Sequence, residues 1–168
     1  MSLNLESSLA KSTLRLAKFL QQKCRTSNLK VTFAESCTGG LASAFMTEIE
    51  GSSEVFEQSY VTYSNAAKID MLSVQSSIID KHGAVSEQVA IEMLCGALDK
   101  ANADLGVAIT GIAGPNGAVL NKPVGTVCFA YGNKKGMRST TELFKGDRIN
   151  VRQSAVNHAF QILLDQTE

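Results

Sequence analysis

The feature that most constrains this chain is the run Leu105 to Thr110, continuously apolar, which opens into the turn-rich loop Gly111-Ile112-Ala113-Gly114-Pro115-Asn116-Gly117. A strand with one wet face alternates apolar and polar residues, so an unbroken apolar run reads as a central strand covered on both faces. Such a strand needs helices on both sides of its sheet. Leu9, Thr13, Leu16 and Leu20, at spacings of three and four, predict an amphipathic helix over about 5–23. Further helices are predicted over 41–49, 65–72, from Ser86 to about Ala101, and after the capping residue Asp147. Strands are predicted over 29–34, 60–63, 124–131 and 137–144, the last two joined by a tight turn around Gly132 to Gly136. This order favours an α/β fold with a mixed, mostly parallel sheet.

The bulk numbers narrow the function. At 168 residues the chain is the size of one domain, here taken as 1–168. Sixteen basic residues balance sixteen acidic ones, which removes the charge footprint of a protein that grips nucleic acid through many phosphates. Lys134, Lys135 and Arg138 form the one basic cluster and read as a solvated hairpin tip. No apolar run approaches the roughly 18 to 20 residues that span a bilayer, and MSLNLESSLAKST lacks a signal-peptide layout. No membrane association and a cytoplasmic location are therefore expected. Cysteines 24, 37, 95 and 128 form no CxxC pair and read as small core residues, and with only His82 and His158 no metal site is expected.

Chemistry concentrates at Glu35-Ser36-Cys37-Thr38-Gly39-Gly40, where a strand hands over to a helix. Two readings stay open here. In one, Ser36 is a nucleophile and N–H groups of the glycine-bearing turn serve as oxyanion or phosphate donors. In the other, Thr38 caps the helix and Gly39-Gly40 permits close packing. A serine needs a base, and neither His82, in a loop, nor His158, within the last helix, stands in an evidently productive setting. Lys68, flanked by Ala66, Ala67 and Ile69, is the remaining candidate, against its alternative as a solvated helix lysine. An ordinary lysine is neutral in only about one molecule in 2,500 at pH 7, so a base there must lose about 3 in pKa, about 4 kcal/mol. Cys37 is a rival nucleophile, but adjacent side chains at a strand end point to opposite sides, which favours it as buried filler. The Thr110-Gly111 loop can bring backbone N–H groups and a hydroxyl to a ligand, or be a plain connection. Arg148 and Arg152, four residues apart, can clamp a phosphate together or be a surface pair with Asp147 and Glu142.

Taken together, AESCTGG at 34–40, GSSEVF at 51–56, VTYSNAAK at 61–68, HGAVSE at 82–87, ITGIAGP at 109–115, KPVGTV at 122–127 and GDR at 146–148 resemble the CinA C-terminal domain family. That family contains nicotinamide mononucleotide deamidases, and the absence of a further N-terminal domain makes the chain similar to the stand-alone form. The resemblance implies a three-layer α/β/α sandwich, usually a homodimer, that converts nicotinamide mononucleotide and water to nicotinate mononucleotide and ammonia without metal or cofactor. It implies Ser36 as nucleophile and Lys68 as general base, with Tyr63 among the catalytic group. Glu35, Thr38, Gly39, Gly40, Asn65, Thr110, Gly111, Arg148 and Arg152 are the substrate-binding positions it suggests. Two departures stand out: Ser59-Tyr60 in place of a glycine pair, and Asn116-Gly117-Ala118 in place of a more glycine-rich stretch. A non-catalytic nucleotide-binding or competence-linked module of the same fold is the alternative.

Overall fold

In a computed structural model, which describes residues 7–167, the apolar run forms the middle of a five-stranded sheet. The strands are β1 (Val31–Glu35), β2 (Tyr60–Val61), β3 (Leu105–Gly111), β4 (Thr126–Asn133) and β5 (Gly136–Leu143), in the spatial order β2-β1-β3-β4-β5. β1 pairs in parallel with both β2 and β3, whereas β4 is antiparallel to β3 and to β5. Four of the five strands thus share one direction, but two of the four pairings are parallel and two antiparallel, so the sheet is mixed as expected rather than mostly parallel in its pairing. Residues 105–110 of β3 are all buried.

Helices cover both faces. α1 (Ser8–Thr26), α2 (Leu41–Thr47) and α6 (Arg148–Asp165) pack on the face that carries Phe33, Val107, Ile109 and Phe129. α3 (Asn65–Leu72), α4 (Ser76–His82) and α5 (Glu87–Ala101) cover the face that carries Ala34, Ala108 and Ala130. The asymmetry follows from alternation along each strand: one set of residues is large, and the other is small enough for α5 to approach closely. Gly106 marks that approach, since a Cβ there would stand 2.9 Å from Leu94 Cδ1. The three-layer arrangement is the solution for a sheet apolar on both sides.

Several local expectations hold closely. Asp147 caps α6 by accepting from Ile149 and Asn150 N–H, Ser86 caps α5, and α3 covers 65–72 as predicted. Others shift. α1 runs to Thr26, and its buried stripe is Ala10, Thr13, Ala17, Leu20 and Cys24 rather than the leucines at 9 and 16; the expected start at Leu5 lies outside the described residues. α4 was not predicted, because SSIIDKH is one short turn pair with a single buried apolar residue, Ile79. β2 shrinks to two residues at the sheet edge. Cys24, Cys37 and Cys128 are buried as expected, but Cys95 is exposed on α5.

The connections explain where a site falls. From β1 the chain crosses one face through α2 to reach β2, then returns over the other face through α3, α4 and α5 to β3 on the far side of β1. The strand order reverses at β1, so the carboxyl end of β1 opens into a crevice between its two departing chains.

Candidate active site

Ser36 is the first residue after β1, held by its own N–H donating 2.9 Å to the Ile109 carbonyl of the neighbouring strand. Lys68 arrives from the other neighbour: β2 runs alongside β1, the Ser64 side chain caps α3, and Lys68 stands one turn in. Its Nζ lies 3.0 Å from Ser36 Oγ and donates to the Thr62 carbonyl at 2.8 Å. Lys68 is 1% exposed, so it is not the solvated helix lysine that remained open. Burial holds its pKa below the ordinary lysine value, opposed by the nearby Cys37 thiol.

Above this pair lies a cleft of about 270 Å³, to which Tyr63, Asn65, Thr110, Gly111 and Arg148 all contribute. Thr110 Oγ1 donates to the Ala84 carbonyl, and Lys122 Nζ donates to the His82 and Val85 carbonyls, so the loop 82–85 is fastened into the cleft wall. Lys122 was given no role from sequence; a lysine before Pro123 carries no signal of which carbonyls it will reach. Arg148 is fixed at the rim, donating from Nη1 to the Gly114 carbonyl and from Nη2 to Tyr63 Oη, each at 2.9 Å. A larger depression, about 630 Å³, lies between α1 and α6 around Phe19, Lys23 and Gln161, but it brings no nucleophile to a base.

The geometry gives the other suggested substrate positions partners within the protein. Glu35 does not face the cleft: its fully buried carboxylate accepts from the N–H groups of Gly40, Ala42 and Ser43 and from the Ser43 hydroxyl. It neutralises the exposed N–H groups at the start of α2, a task the capping logic gave to Thr38. Thr38 is itself fully buried, its hydroxyl without a partner among the described residues. Gly39 and Gly40, with φ of 59° and 89°, supply the left-handed backbone of the turn, but their N–H groups are spent on the Ser36 carbonyl and on Glu35. The turn's N–H groups that meet no acceptor from another described residue are those of Cys37 and Thr38. Arg152 does not join Arg148 in the cleft; it donates from Nη2 to the Thr38 carbonyl at 2.6 Å. One helix turn separates the two arginines, yet α6 tilts one toward the rim and the other under the turn.

The remaining candidates sort by burial. Cys37 adjoins the cleft but is 6% exposed, and burial pushes its thiol up to about 12, so it is no ready thiolate. His158 packs edge-on against Phe129 and Phe144, and desolvation lowers its pKa. Ser59 intrudes on nothing; its hydroxyl shares a 2.6 Å hydrogen bond with Ser43 and extends the Glu35 network. Asn116 and Gly117 line the cleft. Among the described residues, no group of three or more His, Cys, Asp and Glu is placed to hold a metal ion, and no helix is long and apolar enough to cross a membrane.

A switch-point cleft in a mixed α/β sheet, with a buried lysine against a serine, defines a small α/β protein built around a polar pair. The chain belongs to the CinA C-terminal domain family, whose model matches residues 13–167. It is 47% identical to the nicotinamide-nucleotide amidohydrolase PncC of Escherichia coli K12, over 91% of this chain and 93% of that protein. It is also 47% identical to a CinA-like protein of Colwellia psychrerythraea, over 82% of this chain but 32% of that longer protein. Among solved structures, the competence/damage inducible protein CihA of Agrobacterium tumefaciens superposes with a TM-score of 0.90 at 38% identity, covering 94% of this chain and 96% of that one.

Proposed function

We propose that this protein is an amidase that converts nicotinamide mononucleotide and water to nicotinate mononucleotide and ammonia, with Ser36 as nucleophile and Lys68 as general base. The observation that carries the reading is the 3.0 Å approach of the buried Lys68 Nζ to Ser36 Oγ. The PncC relatives carry the choice of substrate.

In the reaction, neutral Lys68 takes the Ser36 hydroxyl proton as Oγ bonds to the carboxamide carbon. The carbonyl electron pair moves onto oxygen, and the N–H groups of Cys37 and Thr38 hold that oxyanion. The pair then returns, the carbon–nitrogen bond breaks, and the Lys68 ammonium gives its proton to the leaving amine, which departs as ammonia. Water attacks the resulting ester with Lys68 again taking the proton. Breakage of the bond to Oγ, which takes the proton back from the Lys68 ammonium, restores Ser36 and neutral Lys68 and releases the carboxylic acid.

Arg148 binds the phosphate of the nucleotide at the rim, and Tyr63, accepting from it, keeps the guanidinium oriented. Asn65, Thr110 and Gly111 contact the substrate along the cleft wall. Binding energy from the phosphate is spent on aligning the carboxamide with Ser36. The resemblance extends the reading to one domain over 1–168, a homodimer, and a cytoplasmic setting without nucleic acid, metal or cofactor.

The test is to follow ammonia release and chromatographic formation of the acid from nicotinamide mononucleotide, nicotinamide riboside and free nicotinamide. Turnover of the nucleotide with kcat/KM falling at least tenfold for each smaller substrate supports the reading. Binding of the nucleotide in calorimetry without any ammonia would replace it with a non-catalytic binding module.

A further inference from the structure

The amidase reading leaves one half-buried arginine without a task. Arg152 is half-buried at the second turn of α6, beside the strand-to-helix turn and outside the cleft lining. Its Nη2 reaches the Thr38 carbonyl at 2.6 Å, across 114 residues of sequence, and its Nε is buried with no partner among the described residues. The turn rests directly on the guanidinium: a Cβ added at Gly39 would lie 3.5 Å from Nη2.

The turn is held from both ends by opposite charges. Glu35 gathers the N–H groups of Gly40, Ala42 and Ser43 on the helix side. On the other side the Thr38 carbonyl accepts a long 3.3 Å bond from Leu41 N–H and the short one from Arg152. The Thr38 N–H, on the peptide unit next to that carbonyl, meets no acceptor from another described residue. Rotation about the backbone of Thr38 would turn the carbonyl and swing this N–H relative to Ser36.

We propose that Arg152 is a positioning residue: by fixing the Thr38 carbonyl it aims the Cys37 and Thr38 N–H groups at the developing oxyanion, and it touches no substrate. The inference rests on the amidase reading of the cleft. It separates the two arginines of α6, which share a helix face but not a function. Arg148 governs substrate affinity, and Arg152 governs the chemical step.

The experiment compares Arg152→Met, Arg152→Lys and Arg148→Met with wild type, measuring kcat and KM for nicotinamide mononucleotide and its preference over nicotinamide riboside. Arg152→Met is expected to lower kcat about 100-fold with KM within about twofold and the nucleotide preference intact, the scale of losing one oxyanion donor. Arg152→Lys, which retains a donor, is expected to recover part of kcat. Arg148→Met is expected to raise KM and erase the preference. A rise in KM with loss of preference in Arg152→Met would make Arg152 a phosphate ligand and overturn the inference. Amide hydrogen exchange gives a readout independent of turnover: in Arg152→Met, exchange at the hydrogen-bonded Gly39 and Leu41 amides that bracket Thr38 is expected to quicken while the β3 amides stay protected. Unchanged exchange at the turn would overturn the inference even if wild type released no ammonia, a result that by itself would count only against the amidase reading.

Discussion

Lys68 Nζ sits 3.0 Å from Ser36 Oγ, and the lysine that makes this contact is 1% exposed. Ser36 follows the end of β1 and Lys68 stands one turn into α3, 32 positions away, and neither is placed by a local motif alone. A buried amine beside a hydroxyl is the arrangement that lets a serine lose its proton near neutral pH.

The pH dependence follows from the sign of the Lys68 shift. Desolvation lowers its pKa from the usual 10.5, and only the neutral amine acts as base. Activity is therefore expected to rise with pH through the lowered pKa and to level off before ordinary lysines titrate. The check is kcat/KM against pH from 5 to 10; a profile still climbing at 10 would mean that the amine is not depressed.

Stability carries the complementary signature. Between the lowered folded-state pKa and 10.5 the unfolded chain binds the extra proton, so the stability of wild type rises with pH through that window. Below it the folded protein bears the full cost of a buried cation. Lys68→Met removes this cost, so its melting temperature is expected to gain on wild type as pH falls, while its amidase activity is lost. A difference in melting temperature that stays flat from pH 5 to 10 would contradict the buried-cation account.

Glu35 is expected to act on the fold rather than on affinity. Its carboxylate is the acceptor for three backbone N–H groups and a hydroxyl in a fully buried setting. Glu35→Ala leaves these donors unpaired and is expected to cost about 3 kcal/mol or more in denaturant unfolding. A raised KM without loss of stability would restore the substrate contact suggested by the sequence.

Gly96 is where α5 lies close to the helix that carries Lys68. A Cβ there would meet the Leu72 carbonyl oxygen at 2.1 Å, and Leu72 ends the helix that carries Lys68 one turn earlier. Gly96→Ala must therefore push α3 away from α5. Activity is expected to fall at least tenfold in protein that remains folded by circular dichroism; wild-type turnover would show that Lys68 does not depend on this packing.

Thiol chemistry separates Ser36 from its neighbour. With its pKa raised to about 12, Cys37 is expected to resist iodoacetamide at pH 8, whereas the exposed Cys95 is alkylated. Cys37→Ala is expected to keep kcat within about threefold. Peptide mapping and the variant's turnover check both points.

How much of this was written in the sequence depends on the range of the interaction. The unbroken run in β3, the caps Ser86 and Asp147, and the β4–β5 hairpin were legible because each is set by residues a few positions apart. Ser36 and Lys68 were singled out only through the family resemblance, and the burial of Lys68 was not legible, because it depends on packing contributed by the whole second layer. The internal partners of Glu35 and Arg152 and the burial of Thr38 were not legible for the same reason. Where a polar side chain points at a strand end is decided by partners such as Ser43 and the Thr38 carbonyl. The two arginines show it most plainly, since a spacing of four gives a shared face and says nothing of what lies above each residue.

The most direct test of the account is ammonia release from nicotinamide mononucleotide by wild type and Ser36→Ala assayed in parallel, with the acid product confirmed by chromatography. The account predicts turnover by wild type and its loss, by at least 1,000-fold on the scale of removed nucleophiles, in a folded Ser36→Ala protein. Turnover retained by Ser36→Ala would contradict it and move the attack to Cys37 or directly to water.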